Sequence, residues 1–329
     1  MPADILDRLR LDVPVSQAGM GGGLAGPALA AAVAKAGGLG TLGLATPWQL
    51  RTSIDRVRTE APGRAVAVNL LMHYVGRRHV EACVDSRVDV AVLAFGETRS
   101  IVEHLRDAGI FVFVMVGTRA QARRAIGWGA DGLIAQGREA GGHLVGTEPA
   151  LDFLPRALAA ARTRPVFLAG GIADAADTDA ALAAGASGVV AGTRFLLTDE
   201  AGANSEYQRR IINADRTIET NLFGFTWQLR HRVIPNAATR RWCRDDGRAK
   251  TLPAMINAVS RPMAVPLYHE LGEVLRLQSP RRPLFSPAVP ERRMPDSWVD
   301  RAALYAGETA LRLGRVTSAE QAVRDLTPR

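Results

Sequence analysis

Short β-rich runs recur at a regular spacing along the first two hundred residues, and this rhythm limits the fold more than any other feature. Their centres lie roughly 21 to 34 residues apart, which is one strand, one helix and two loops. We predict eight strands: Val13–Gln17, Gly38–Leu44, Ala65–Leu71, Val88–Phe95, Ile110–Val116, Gly132–Gln136, Pro165–Gly170 and Gly188–Gly192. Alanine-rich stretches between them predict seven helices: Pro27–Ala36, Trp48–Arg58, Arg77–Asp85, Thr98–Asp107, Thr118–Ile126, Phe153–Arg162 and Asp174–Ala183.

The strands have the composition of a parallel sheet. Ile110–Val116 is apolar without alternation, as expected for a strand that is buried on both faces. Eight βα units in about 200 residues predict a (β/α)8 TIM barrel. An open doubly wound sheet is the structural alternative, and it usually has about five or six strands.

The chain changes character after the eighth strand. The residues from Thr198 to about Pro295 are rich in arginine and lack the βα alternation. We predict helices at Glu206–Arg216 and Ala264–Leu277, an extended linker over 279–290, and amphipathic helix over Asp296–Arg324. The expected organisation is a barrel over 1–198, a mostly helical substrate-lid domain over 199–295, and C-terminal helices over 296–329 that return to the barrel.

Positive charge is concentrated in the C-terminal part. Residues 1–200 carry equal numbers of basic and acidic side chains, so the net charge of +8 lies in residues 201–329. Such a region would attract an anionic small-molecule substrate or an acidic carrier protein. Nucleic acid is not expected as a partner, because no motif interleaves aromatic and basic residues.

The composition, 47% hydrophobic and 22% charged, is that of a globular protein. We expect no membrane span, since charged residues, glycine or proline interrupt every long apolar stretch. No secretory signal is recognised at the N-terminus. Cys83 and Cys243 fit neither a metal site nor a disulfide framework, so the prediction is a reduced, cytoplasmic protein with no metal.

In a barrel, functional residues gather in the loops that follow the strands. Gly21 to Gly26, after strand one, match the dinucleotide pattern G-x-G-x-x-G. A dinucleotide site also needs an acidic residue at the end of strand two, and that neighbourhood is Leu44–Pro47. We therefore interpret the loop as one that lets a flat ring approach the backbone. Asn69, in strand three, is suited to the polar edge of a heterocycle or to a turn cap.

Glycines follow the last two strands. Gly170, Gly171, Gly192 and Thr193 would expose backbone N–H groups at the place where barrel enzymes often bind phosphate. This pair of loops predicts a cup for a phosphorylated ligand.

His143 is the candidate for proton transfer. It is the histidine that lies in a glycine-rich loop after a strand, and an imidazole with an ordinary pKa of ~6.5 can act as a base at neutral pH. For the nearby Glu139 there are two interpretations, a partner that supports another site residue or a solvated loop carboxylate, and we favour the second. The other five histidines, His73, His79, His104, His231 and His269, are assigned no function.

These strand-end motifs resemble the nitronate monooxygenase family, FMN-dependent barrel enzymes. The resemblance covers residues 13–200, with a fainter match at Ala303–Glu308, and it is carried by these segments: Gln17–Gly23, Ala36–Gly43, Gly129–Gly137, Glu139–His143, Leu168–Ile172 and Ala191–Phe195. By resemblance, Met20, Gly21, Asn69 and Gln136 would line the flavin ring and ribityl chain. Gly141 and Gly142 would pack near the ring, and the glycines of the cup would hold the FMN phosphate.

The resemblance implies oxidation of alkyl nitronates by the flavin and O2 to a carbonyl compound and nitrite. Where neutral nitroalkanes are accepted, His143 would first remove the α-proton. Three positions depart from the family pattern and leave the substrate open: Gly19 in place of proline, Met115 in place of lysine, and Asn204 in place of histidine.

Two alternatives stay open. One is an FMN- and NAD(P)H-dependent enoyl-acyl-carrier-protein or quinone reductase, for which NAD(P)H or an acyl carrier would be the partner. The other is a flavin-binding protein without turnover. A homodimer is a further expectation about assembly.

Overall fold

The computed structural model of the protein describes residues 2–96, 99–263 and 271–329. Its central sheet has eight parallel strands: β1 (Val15–Gln17), β2 (Gly40–Leu42), β3 (Val66–Leu71), β4 (Val90–Ala94), β5 (Phe111–Val116), β6 (Gly132–Gln136), β8 (Val166–Ala169) and β9 (Gly188–Ala191). They are ordered β1-β9-β8-β6-β5-β4-β3-β2, and a parallel bridge from Ser16 to Leu39 joins the two ends. The sheet is therefore closed, which confirms the predicted barrel.

Each predicted strand is present, shortened by up to two residues at an end except for β6, which has the predicted bounds. The side chains of these strands are almost all buried, because the inner face fills the barrel and the outer face is covered by helices. Asn69 is an interior residue of β3, where it pairs with Val92.

Helices cover the outside of the barrel. They are α1 (Pro2–Leu9), α2 (Pro27–Lys35), α3 (Pro47–Glu60), α4 (Arg77–Asp85), α5 (Arg99–Asp107), α6 (Arg119–Gly127), α7 (Ala150–Ala161) and α8 (Ala175–Ala183). Seven were predicted; for α5, the predicted first residue Thr98 lies outside the described residues. Side-chain caps stabilise the N-termini of several of these helices: Thr46 caps α3 with a capping box, Thr118 caps α6, and Asp174 caps α8.

The N-terminal helix α1 was not predicted. Ile5, Leu9 and Leu11 pack against inward-facing residues near the strand starts, including Leu39 and Phe111. Helix α1 therefore closes the bottom of the barrel and leaves the opposite end, where the strands finish, for a site.

Short elements follow the barrel: α9 (Thr193–Leu196), α10 (Ser205–Ile212), β10 (Ile218–Thr220), β11 (His231–Val233), α11 (Ala237–Trp242), α12 (Thr251–Ser260) and α13 (Leu271–Leu277). The helix predicted over Ala264–Leu277 is present as α13, and residues 264–270 lie outside the described residues. Strands β10 and β11 were not predicted. They form an antiparallel sheet with β7 (Gly142–His143), a two-residue strand in the loop after β6.

The helix predicted over Asp296–Arg324 is wrong as a continuous element. The chain forms two short 3-10 helices, Asp296–Asp300 and Glu308–Arg312, before α14 (Ala319–Leu326). The reason is that backbone N–H groups of this segment donate to other parts of the chain: Ala303 N donates to the Ala288 carbonyl, and Glu308 N donates to the Glu139 carbonyl. Helix α14 packs against α2, α8 and α9. The division of the chain into three domains, with boundaries at 198/199 and 295/296, remains a prediction.

No helix within the described residues has both the length and the apolar character needed to cross a membrane.

Candidate active site

A cavity of about 700 Å³ opens where the barrel strands end. All eleven residues singled out in the sequence line it: Met20, Gly21, Asn69, Gln136, Gly141, Gly142, His143, Gly170, Gly171, Gly192 and Thr193. Residues from the segment after the barrel, such as Trp227, Val289, Glu291 and Tyr305, complete the wall. The barrel therefore provides the floor, and the C-terminal part provides the cover.

The glycine cup lies on one side of this cavity. Gly170 and Gly171 have φ values of +112° and +78°, which side chains other than glycine rarely adopt. Gly192 precedes the first turn of α9, and Thr193 Oγ1 accepts a hydrogen bond of 2.9 Å from Gly307 N. The cup thus consists of backbone and one hydroxyl.

Glu139 borders the cup and is not the solvated carboxylate that we expected. Its Oε1 accepts a hydrogen bond of 2.9 Å from Ala150 N at the start of α7, while Oε2 is buried with no hydrogen-bond partner. A Cβ added at Gly170 or Gly171 would lie 3.4 to 3.6 Å from Glu139 Oε1. This carboxylate therefore anchors a helix and also lies beside the cup.

The opposite wall fits a flat heterocycle. Asn69 Nδ2 donates to the Gly19 carbonyl at 3.0 Å, and its Oδ1 is buried without a partner. A Cβ at Gly19 would collide with the Asn69 side chain, which explains glycine at this position. Nothing lies within 4 Å of where a Cβ of Gly21 or Gly142 would stand, so both leave open space in the wall. Asn69 Oδ1 is a hydrogen-bond acceptor without a partner, and it lies in a wall where Gly21 and Gly142 leave the backbone uncovered. The polar edge of a flavin ring requires such an acceptor and such space, so these residues fit the expected cofactor.

Gln136 and Gly141 lie at the cavity but have structural contacts of their own. The Gln136 amide donates to the His143 carbonyl at 3.1 Å and accepts from Val145 N at 2.7 Å, which braces the loop after β6. A Cβ at Gly141 would lie 2.5 Å from Gly307 N, so glycine there allows two backbones to touch. Both residues therefore position the loop that carries His143.

His143 is held by sheet pairing and by aromatic rings. It pairs with His231 where β7 meets β11. The His143 ring is half-buried and stacks on Trp227, with centroids 3.8 Å apart and planes at 22°. The rings of Phe95, His231 and Tyr305 surround it at 6.1, 5.2 and 5.3 Å. Its Nε2 is buried and has no hydrogen-bond partner.

This environment keeps the imidazoles neutral. Desolvation, then the charges of His231 and His73, hold the pKa of His143 well below its ordinary value of 6.5. Desolvation lowers the pKa of His231 to about 4. An unprotonated His143 at neutral pH is in the form that accepts a proton.

Sequence reasoning misses several residues of this site. It assigns no function to His73 and His231, yet both belong to the ring cluster: His73 is stacked with Trp227 at 5.3 Å. For Trp227 the sequence offers only its aromatic content, which favours a core position. The turn at Thr226, with φ +67°, presents Trp227 to His143, and no local sequence pattern predicts that contact.

The described residues contain no group of three or more His, Cys, Asp or Glu side chains that could hold a metal ion.

Comparison with known proteins adds an independent finding. The family model described as nitronate monooxygenase matches residues 4–73 and 60–329. A curated relative from Rhodococcus jostii, (3aS,4S,5R,7aS)-5-hydroxy-7a-methyl-1-oxo-octahydro-1H-indene-4-carboxyl-CoA dehydrogenase, is 36% identical over 228 residues, which are 67% of this chain. The match spans only 62% of that relative's length.

Two solved structures match almost the whole chain. The nitroalkane oxidase of Streptomyces ansochromogenes has 28% sequence identity and a TM-score of 0.77, with 98% of this chain and 96% of that chain covered. FabK of Thermotoga maritima has 26% identity and a TM-score of 0.75, with 98% and 94% covered.

Proposed function

Because this chain belongs to the nitronate monooxygenase family and is an oxidoreductase, we propose that it uses FMN and O2 to oxidise alkyl nitronates or nitroalkanes to a carbonyl compound and nitrite. The observation that carries the proposal is the meeting of the glycine cup and His143 at one cavity. A flavin held by these residues would supply the redox chemistry that links oxidation of the substrate to reduction of O2.

The cavity residues have separate tasks in this proposal. Asn69 Oδ1, which has no partner in the protein, accepts a hydrogen bond from the ring edge, and Met20 and Gly21 line the ring. Gly170, Gly171, Gly192 and Thr193 offer backbone groups and a hydroxyl to the phosphate. The identity of the flavin is tested by releasing it from purified protein and determining its mass.

His143 takes the α-proton when the substrate is a neutral nitroalkane. Its lowered pKa keeps the ring unprotonated, and the stacked Trp227 and the brace from Gln136 hold its position. The aromatic rings around His143 exclude water, and this strengthens the interaction of the His143 imidazole with the substrate.

A second candidate function follows from the curated relatives, whose name describes dehydrogenation of an acyl-CoA. It would use the same cavity for the acyl group, while the CoA part would lie outside. A reductase that takes electrons from NAD(P)H and a flavin-binding protein without turnover would use the same glycine cup, so flavin binding does not separate them from the proposed oxidation.

One experiment separates these functions. The flavin-loaded protein is mixed anaerobically, in a stopped-flow spectrometer, with propyl-2-nitronate, 2-nitropropane, NADH, NADPH or a saturated acyl-CoA. Bleaching of the flavin by a nitro compound, with nitrite formed once O2 is admitted, supports the proposal. Fast bleaching by a nicotinamide nucleotide alone would replace it with the reductase, and fast bleaching by the acyl-CoA alone would replace it with the dehydrogenase. No bleaching would leave only the non-catalytic protein.

A further inference from the structure

The part of the cavity wall that follows strands β4 and β5 lies across the barrel from the glycine cup. In the closed order of the sheet, β6 and β5 stand between β4 and β8, and β3, β2 and β1 stand between β4 and β9. Phe95 directly follows β4, Met115 is the next-to-last residue of β5, and both line the cavity. These two residues are therefore on the far side of the cavity from the place proposed for the phosphate.

Aromatic rings cover this side of the cavity next to His143. The Phe95 ring lies 5.1 Å from that of Trp227, with the planes at 83°, and 6.1 Å from the imidazole of His143, with the planes at 72°. The Tyr74 ring packs on Trp227 at 5.3 Å, and its hydroxyl lies 3.3 Å from Thr226 Oγ1. The polar end of Tyr74 is thus engaged within the protein, and the wall beside His143 consists mainly of carbon.

The backbone of Phe95 is in a conformation that opposes a large side chain. Its φ is +64°, which a bulky residue rarely adopts. The chain turns sharply here, since a Cβ at the next residue, Gly96, would lie 2.6 Å from Met72 Cβ. Glycine or asparagine would adopt the Phe95 conformation at a lower cost. Residues held in such conformations cluster at active sites and ligand clamps. The turn alone does not explain a phenylalanine, so the ring itself has a role.

The position of His143 defines what the Phe95 ring can reach. A substrate that gives its proton to His143 lies within hydrogen-bond reach of the imidazole. Phe95 is half-buried and lines the same cavity, so part of it is open toward that substrate. Apolar groups are in contact at about 4 Å. With 6.1 Å between the two ring centroids, a carbon chain that begins beside His143 meets the Phe95 ring within its first few carbons.

We propose that Phe95 is a specificity-determining residue that binds the alkyl chain of the nitro substrate, and that this chain has several carbons. Met115, on the neighbouring strand β5, extends the apolar surface beyond Phe95. The inference rests on the proposed function for the reacting group. It applies equally to a nitroalkane and to its nitronate, because contact between a ring and a carbon chain does not involve the nitro group.

The test compares nitroethane, 1-nitropropane and 1-nitrobutane, each supplied as the nitroalkane and as the preformed nitronate. In wild type, kcat/KM should rise roughly fourfold with each methylene, because each buries apolar surface against the wall. In Phe95→Ala this rise should fall below about twofold, whereas Phe95→Leu keeps an apolar side chain and should keep most of it. Trp48→Ala, at an exposed position of α3, removes an aromatic ring outside the cavity and should leave the rise unchanged. A wild-type rise that persists in Phe95→Ala overturns the proposal, as does kcat/KM that is independent of chain length in wild type.

A binding measurement does not depend on turnover. Propionate, butyrate and valerate carry a carboxylate in place of the nitro group of the three substrates, and calorimetry gives the affinity of the flavin-loaded protein for each. The affinity of wild type should increase along the series, and that of Phe95→Ala should stay nearly constant. Equal affinities in wild type, or no detectable binding, would overturn the role of Phe95. If no nitro compound is turned over, the proposed function fails, and the carboxylates still decide whether Phe95 binds an alkyl chain.

Two further measurements separate this role from others. The affinity of each apoprotein for FMN should be the same in wild type and Phe95→Ala; a weaker affinity in the variant would make Phe95 a contact of the flavin instead. Phe95→Gly also lacks the ring but accepts a φ of +64°, so it should have a higher urea midpoint than Phe95→Ala. An equal or lower midpoint for the glycine variant would show that this position does not oppose a side chain, and the reason for assigning a role to the ring would be lost.

Discussion

The indole of Trp227 lies face to face with the imidazole of His143, with 3.8 Å between the ring centroids. The turn that presents Trp227 is fixed on several sides: the Thr226 carbonyl is 2.9 Å from His73 Nε2, and Thr226 N donates to Ser260 Oγ at 2.8 Å. The orientation of the proposed base therefore depends on residues seventy or more positions away in the chain.

Replacing Trp227 tests this dependence. Trp227→Phe keeps a ring against His143 and should retain most activity, whereas Trp227→Leu removes the stacking. For the leucine variant we expect kcat with 2-nitropropane to fall roughly tenfold with a smaller change in KM, since a positioned base contributes to the rate more than to binding. Equal kinetics for the two variants would contradict the positioning role.

The pH dependence of nitroalkane turnover should reflect the neutral His143. Because desolvation lowers its pKa, the ring stays unprotonated as the pH falls through 6.5, and the acid limb of kcat/KM should lie below that value. His143→Ala should keep FMN and some nitronate turnover, and lose nitroalkane turnover by about a hundredfold or more. The exposed His104→Ala is the matched control. Loss of FMN from His143→Ala would indicate a structural residue instead.

A charge placed in the glycine cup should prevent cofactor binding. Gly192 is the suitable position because its φ is −105° and a Cβ there would meet only Ala18, at 3.7 Å. Gly192→Asp should weaken FMN binding at least about tenfold relative to the isosteric Gly192→Asn, by repulsion of the phosphate. Fluorescence titration of each apoprotein with FMN measures the affinity of the two variants. Gly171→Asp should also abolish FMN retention, although its φ of +78° adds backbone strain.

His231 should make the protein less stable in acid. Its folded-state pKa is about 4 against an ordinary value of 6.5, so below pH 6.5 the unfolded chain binds a proton that the folded chain does not. The free energy of unfolding should fall by roughly 3 kcal/mol from this residue as the pH drops to about 4, and then level off. Urea titrations of wild type and His231→Phe check this, because the variant should lose less stability over that range. If the free energy of unfolding fell equally with pH in wild type and in His231→Phe, the lowered pKa of His231 would be contradicted.

Much of the barrel could be predicted because each of its strands and helices depends mainly on the residues within its own segment. The apolar run Ile110–Val116 and the cap residue Asp174 each determine an element from their own neighbourhood, and both were found where expected. The helix over Asp296–Arg324 failed because its apolar spacing is helical, while its N–H groups are taken by distant carbonyls such as that of Glu139. Strand β11 was missed because its three residues show no strand pattern of their own and are held by pairing with β10 and β7.

The sequence by itself determined a parallel βα barrel, placed the glycine loops and His143 at the ends of its strands, and so indicated one cavity. Only the tertiary structure decided what surrounds that histidine and which residues of the C-terminal part complete the cavity wall. The physical reason is the distance along the chain over which each interaction acts. Strand and helix periodicity involves residues a few positions apart. Trp227, His231 and Glu291, in contrast, reach the cavity through backbone pairing and packing between segments far apart in the chain.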